Sequence, residues 1–199
     1  MVLVAPSLAR LEAYAAALRT GWSPSNVRDV GGEQLAAIAH DAAGFVAQFG
    51  APGGTVTLRD GRVVPRLPGP VRWMWQEGAA DGAFCGTISL HYVPGTEALP
   101  AYVLGHIGYA VVPWKRRQGH ATAALRAILP LAVAAGLRHV DLTCDDDNRP
   151  SQKVIERNGG VLVSRMPEAD RAEHDKLLYR IALVPGGAAR PGYTSPRNK

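Results

Sequence analysis

The segment from Leu104 to Leu125, LGHIGYAVVPWKRRQGHATAAL, constrains this chain more than any other. Leu104 to Val112 is apolar, β-branched and aromatic, which reads as a buried strand. Pro113 has no N–H to give a sheet ladder and ends that strand. Three cations follow, Lys115, Arg116 and Arg117, and then Gly119 and the helix-forming run Ala121, Ala123, Ala124 and Leu125. A strand, a tight basic turn and a helix start present unpaired backbone N–H groups and a positive helix end to whatever lies above the turn. An anion, most often a phosphate, suits that place. The glycine spacing of a dinucleotide fold is absent, since only Gly119 lies in the turn, and no GxxxxGK[ST] loop occurs.

Bulk properties narrow the field. The 199 residues suit one domain with a sizeable core. A net charge of +5 and a pI near 9.5 favour anionic partners, which keeps a nucleic-acid-binding protein as a competing reading. The cations are scattered, however, apart from Lys115 to Arg117 and a basic tail. That footprint fits a small phosphorylated cofactor rather than a duplex, so no nucleic-acid partner is expected. Cys85 and Cys144 make no disulfide framework, and a reducing compartment follows. The N-terminus lacks the basic segment and apolar core of a signal peptide, and no run approaches the roughly 20 apolar residues of a membrane span. The expectation is a cytoplasmic protein with no membrane partner. Histidines at 40, 91, 106, 120, 139 and 174 show no HExxH or other tight spacing, so no metal is expected.

Along the chain, Val2 to Ala5 reads as a short strand, and Pro6 and Ser7 open a helix through about Arg19. A second helix is predicted from about Glu33 to Phe49, the two forming a lid or wall, with Trp22 as core or pocket lining. Thr55 to Val64, with Asp60-Gly61 between β-formers, reads as a hairpin. Strands follow over Val71 to Gln76 and Phe84 to Val93. Trp73 and Trp75 share one face of the first of these, as sheet core or as substrate contacts. After the basic turn the helix continues to a stop at Gly136, with a kink predicted at Pro130. His139 to Cys144 is a strand, and Asn148 caps a short helix that ends at Asn158-Gly159-Gly160. Strands over Val161 to Met166 and Lys176 to Val184 precede a Pro/Gly-rich segment, 185–199, predicted to be flexible.

Arg116-x-x-Gly119-x-Ala121 resembles the (Gln or Arg)-x-x-Gly-x-(Gly or Ala) pyrophosphate signature of the GNAT acyltransferases. The wider pattern GHIGY…VxPxxR…TCDxDN…S..VIE.NGG is similar to a group of bacterial predicted acetyltransferases with undefined acceptors. The resemblance covers nearly the whole chain, most strongly 104–160. It implies an α/β (α+β) fold: a mixed, mostly antiparallel sheet with flanking helices and a central parallel pair, Leu104–Val112 and Arg138–Cys144, splayed at one end. It also implies one acyltransferase domain over 1–184, with a strand and helical wall or lid in 1–50 and the cofactor-binding core in 104–160. The activity implied is transfer of an acetyl group from acetyl-CoA to a primary amine of a small molecule or peptide, by direct attack in a ternary complex. A non-catalytic acyl-CoA-binding regulator is the alternative. An exposed strand edge would allow a homodimer.

The same resemblance puts backbone N–H groups of Tyr109, Ala110 and Val111 on the acyl carbonyl and pantetheine. The backbone of Arg116, Arg117, Gln118, Gly119, His120, Ala121 and Thr122 falls on the pyrophosphate, and Asn148 and Ser151 lie against the pantetheine. A β-branched residue at position 119 is expected to crowd this turn. Many family members place a tyrosine seven residues after the asparagine as general acid; here that position is Ile155. No carboxylate occurs in Leu104 to Val112, where some members keep a base. Proton-transfer candidates are therefore His106, His91, Tyr109 and Glu97. Each has a plainer reading: His106 as a packed strand histidine, Glu97 as a solvated loop carboxylate. Cys144 is a buried small hydrophobe or an acyl-accepting nucleophile. Asp145 to Asp147 attract a cationic acceptor or complement the following helix.

Overall fold

The computed structural model describes the chain except residues 26–27, 52, 59, 79–82, 168–174 and 184–199. The flexible tail predicted at 185–199 lies outside the described residues, as does Val184. Nine strands and five α-helices run in the order β1 (Val2–Val4), α1 (Leu8–Arg19), α2 (Gly31–His40), α3 (Ala42–Ala47), β2 (Thr55–Thr57), β3 (Val63–Pro65), β4 (Val71–Trp75), β5 (Phe84–Leu90), β6 (Ile107–Val111), α4 (His120–Ala134), β7 (His139–Asp145), α5 (Arg149–Glu156), β8 (Val161–Met166) and β9 (Lys176–Ala182) among the described residues. The mixed α/β class holds.

Strands β1-β4-β5-β6 form one antiparallel sheet, β7-β9-β8 another, and β2-β3 the expected hairpin. The first sheet is covered on both faces, because alternate residues point to opposite sides. Met74, Ile88, Leu90 and Ile107 face α4, joining Leu125 and Ile128 and, from the second sheet, Val140, Leu142 and Ile181. Trp73, Phe84, Ala110 and Val112 face the other way, onto α1 to α3. There Tyr14 of α1 stacks on Trp73 at 4.9 Å between centroids and meets Trp22 and Phe84 edge-on. Both readings of Trp22 and Trp73 resolve to core: they are 5% and 0% exposed.

Three local predictions are corrected. The helix expected from Glu33 to Phe49 is two helices, because Asp41 is extended (φ −151°) and its carboxylate accepts from the Gly44 N–H at 2.9 Å. Asp is poor inside a helix but good at an N-cap, and here the cap wins. The strand expected from Leu104 begins only at Ile107, because Gly105 and His106 turn toward β7. Similarly, the strand ending the Phe84 segment stops at Leu90, where Pro68 and Pro70 take over the backbone bonds of Tyr92 and Leu90. Pro130 lies inside α4, a helix that runs unbroken from His120 to Ala134.

Candidate active site

The two sheets meet where β6 runs beside β7, and there the ladder is missing: the strands belong to separate sheets. At one end they are pinned. His106 donates its N–H to the Asp141 carbonyl at 2.7 Å, and its ring Nδ1 accepts from the Asp141 N–H at 3.0 Å. One residue thus satisfies both main-chain groups of Asp141. Close approach depends on Gly105, where a Cβ would stand 2.9 Å from the Asp141 oxygen and 3.2 Å from Leu142 Cα. Past this pin no backbone ladder joins the two strands among the described residues.

Antiparallel pairing decides which way β6 points its amides. His91 donates to the His106 carbonyl and Val112 to that of Cys85, so the even-numbered residues bond to β5. By that alternation the main-chain groups of Tyr109 and Val111 turn toward the gap, while those of Ala110 turn to β5. Arg116 Nε reaches the Val111 carbonyl from the gap side at 3.3 Å. Of the three residues expected on the acyl carbonyl, two therefore have the required orientation.

Above the gap the chain makes one 3₁₀ turn, Pro113–Lys115, which uses the amides of Lys115 and Arg116. Arg117 then takes φ +59° and Gly119 φ +82°, both left-handed. Backbone pairing resumes only at Ala123, whose N–H meets the Gly119 carbonyl at 3.0 Å. Among the described residues, the amides from Arg117 to Thr122 have no partner in the chain. Left-handed turns leading into a helix gather such amides into a concave, positive surface. The side chains of Arg116 and Arg117 are exposed beside it. This is a fit for a diphosphate. A Cβ at Gly119 would meet nothing within 4 Å, so the crowding expected within the turn is replaced by backbone strain as the cost of substitution.

On the far wall, Asn148 caps α5 by accepting from the Ser151 N–H at 3.1 Å. The Ser151 hydroxyl stands 2.7 Å from the Tyr109 hydroxyl. This contact, linking β6 to α5, was not foreseen; 42 residues separate the pair in sequence. Burial pushes the Tyr109 phenol up to about 12, with the Ser151 bond opposing it. It therefore stays protonated at neutral pH and is a donor. Cys144 is buried, and burial above all, then Asp145, raises its thiol to about 11. Ile155 fills the core at 1% exposure.

The remaining candidates separate by place. His91 is half-buried, its Nε2 lies 3.0 Å from Ser89 Oγ, and that hydroxyl lies 3.4 Å from the Gly108 carbonyl on β6. Burial first, then His106 and Arg66, lower its pKa from the ordinary value. His106 is fully buried, and burial likewise lowers its pKa. Since Nδ1 accepts, the neutral ring carries its proton on Nε2, which has no partner among the described residues. Glu97 is engaged by Arg138, Nε to Oε1 at 2.8 Å, and this bond holds its carboxyl at about 2. His120, whose backbone lies in the turn, has its side chain buried at 9% exposure. Asp145 and Asp146 pair with Lys176 and Arg165. No group of three metal-ligating side chains occurs among the described residues, and no described helix is long and apolar enough to cross a membrane.

Fold and site together define a mixed α/β protein with a cradle of backbone amides at the start of α4, beside a junction where no ladder joins β6 to β7 among the described residues. Residues 57–161 match the family model of the acetyltransferase (GNAT) domain, over half of the chain, so the chain belongs to the GNAT acetyltransferases. Solved structures agree in fold. The ribosomal L7/L12 α-N-protein acetyltransferase RimL in complex with coenzyme A is 17% identical, with 91% of this chain and 93% of that one covered at a TM-score of 0.58. A Salmonella typhimurium acetyl transferase that modifies the N-terminal serine of L7/L12 is 16% identical over 92% and 94%, with a TM-score of 0.55. The microcin C7 self-immunity acetyltransferase MccE, in complex with acetyl-CoA and AMP, is 14% identical over 90% and 91%, at 0.54. No curated protein matches the sequence.

Proposed function

We propose that this acetyltransferase moves the acetyl group to a primary amine of a small molecule or peptide by direct attack within a ternary complex. The observation that carries the reading is the run of amides from Arg117 to Thr122 that have no partner among the described residues, one strand-turn away from the hydroxyl pair Tyr109–Ser151. The thioester supplies an activated acyl carbonyl and a thiolate leaving group. The backbone of residues 117–122, with Arg116 and Arg117, holds the diphosphate. The Tyr109 and Val111 amides, facing the gap, orient the thioester and stabilise developing negative charge.

An ammonium with a pKa near 10.4 must lose a proton before it attacks. Ser89, held between His91 Nε2 and the Gly108 carbonyl, relays that proton to His91, which burial keeps neutral. Tyr109, protonated and bonded to Ser151, donates to the departing sulfur. This pair answers the loss of the tyrosine at position 155 and removes the motive for a purely regulatory reading. His106 is a positioning residue that sets the width of the gap, and Glu97 is tied to Arg138. Cys144, buried with a raised pKa, has too little thiolate to form an acyl-enzyme, which supports direct attack.

Initial rates over a matrix of acetyl-CoA and amine concentrations, followed by free thiol, test this. Intersecting double-reciprocal lines and no acetylated protein by intact mass are expected. Parallel lines with an adduct on Cys144 would overturn it.

A further inference from the structure

One cavity borders β7 and another lies between the segment after α3 and the residues just past β5, and their charges differ. The larger, about 550 Å³, is lined among others by Glu97, Asp141 and Arg180. Arg180 grips Asp141 through two bonds of 2.7 and 2.8 Å, and Glu97 is held by Arg138, so the charges there cancel. The smaller, about 380 Å³, is lined by Arg66, Arg72 and His91 with apolar Phe49, Val71 and Tyr92 among its walls, and by no carboxylate among the described residues.

Neither arginine of this cavity meets an acidic side chain among the described residues, and both are tethered by the main chain instead. Arg66 donates Nε to the Gly53 carbonyl at 3.0 Å and Nη2 to that of Ala51 at 2.8 Å. Arg72 donates Nη1 to the Val71 carbonyl at 2.9 Å. Carbonyl tethers fix each guanidinium without neutralising it, and donors remain on both. Two oriented, uncompensated cations in a concave, partly apolar site attract an anion with little reorganisation. From this cavity the bonds His91–Ser89–Gly108 lead to β6, one residue short of Tyr109.

We propose, resting on the acetyltransferase reading above, that the acceptor is an amine bearing an anionic group, a carboxylate or a phosphate, which binds Arg66 and Arg72 and places the nitrogen at Ser89. The apolar walls take the carbon frame between the two ends. A polyamine or other cationic acceptor is excluded by the same charges.

The test uses the full chain and matched amines: a series of α-amino acids against their amides, and 2-aminoethyl phosphate against ethanolamine. Arg66→Gln and Arg72→Gln are each expected to lower kcat/KM for the anionic member at least about tenfold, mainly through KM, while the neutral member moves less than about twofold. The amino acid and phosphate arms show which anion the site takes. Acetyl-CoA affinity, measured by calorimetry, should be unchanged in both variants, which reports that they are folded. Intact acetyl-CoA binding with turnover or saturable binding of neutral or cationic amines alone, or no binding of any anionic probe, overturns the anionic acceptor and leaves the cofactor site standing. Loss of acetyl-CoA binding by the unaltered chain overturns the underlying reading itself.

Discussion

At the narrow end of the β6–β7 gap, Gly105 and His106 bring the chain within 2.7 Å of Asp141. Three residues on, Tyr109 reaches past β7 to Ser151 on α5, and no ladder joins the strands. The narrow end is held by sterics and by one buried imidazole. The wide end carries hydroxyls and outward-turned amides whose hydrogen bonds within the chain leave room for a guest. The difference teaches that one strand can serve as hinge and as site when its polarity changes within a few residues. Damage at the narrow end should appear first as lost stability, and damage at the wide end as lost turnover in a protein that still folds.

The largest effect is expected from Gly105→Val. Its Cβ would press on backbone atoms, which cannot rotate away, and the cost is about 3 kcal/mol. Urea unfolding reads this directly, and an unchanged midpoint would break the comparison. Next, Tyr109→Phe should lower kcat about 100-fold, or ~2.7 kcal/mol, with the KM for acetyl-CoA and the urea midpoint nearly unmoved. Ser151→Ala should act in the same direction, and the double variant should be little worse than the single, because the two hydroxyls work as one donor. Gly119→Val comes third. The left-handed backbone costs about 1–2 kcal/mol, and acetyl-CoA affinity by calorimetry should fall about tenfold, with Gly119→Asn milder.

A finer test separates His106→Asn from His106→Leu. Asparagine keeps an acceptor for the Asp141 N–H and leucine leaves it buried and bare, so the two should differ by about 1 kcal/mol in unfolding. Smallest is the pH effect. Burial lowers the folded pKa of His91 and His106, so the unfolded chain takes up protons first as pH falls. Stability is complete above about 6.5, the unfolded value, and declines below it until the folded values are reached. Unfolding at pH 5 and pH 7.5 should show that decline, and His106→Asn should reduce it.

Much of this was legible in the chain. The strand, turn and helix around Gly119, the cap at Asn148 and the strands from His139 onward follow from local rules, because each depends on residues a few positions apart. The missed features depend on distance or on competition. The pairing of Tyr109 with Ser151 and of His106 with Asp141 arises only when β6 and β7 are placed side by side. Likewise the arginine-lined cavity joins residues from the segment after α3 to those just past β5, and nothing in spacing marks it. The break at Asp41 did carry a signal, an Asp three residues before Gly44, but the apolar stripe through both helices masks it. Both left-handed residues of the turn matter, yet only glycine advertises the conformation, and Arg117 gives no such sign.

The central claim, that backbone donors at the start of α4 hold the diphosphate of acetyl-CoA, is tested most directly by amide chemical shifts. In a 15N-labelled sample titrated with acetyl-CoA, the account expects the largest, saturable shifts at Arg117 to Thr122, followed by Tyr109 and Val111. Saturable binding that leaves those amides unmoved and shifts others instead would contradict it.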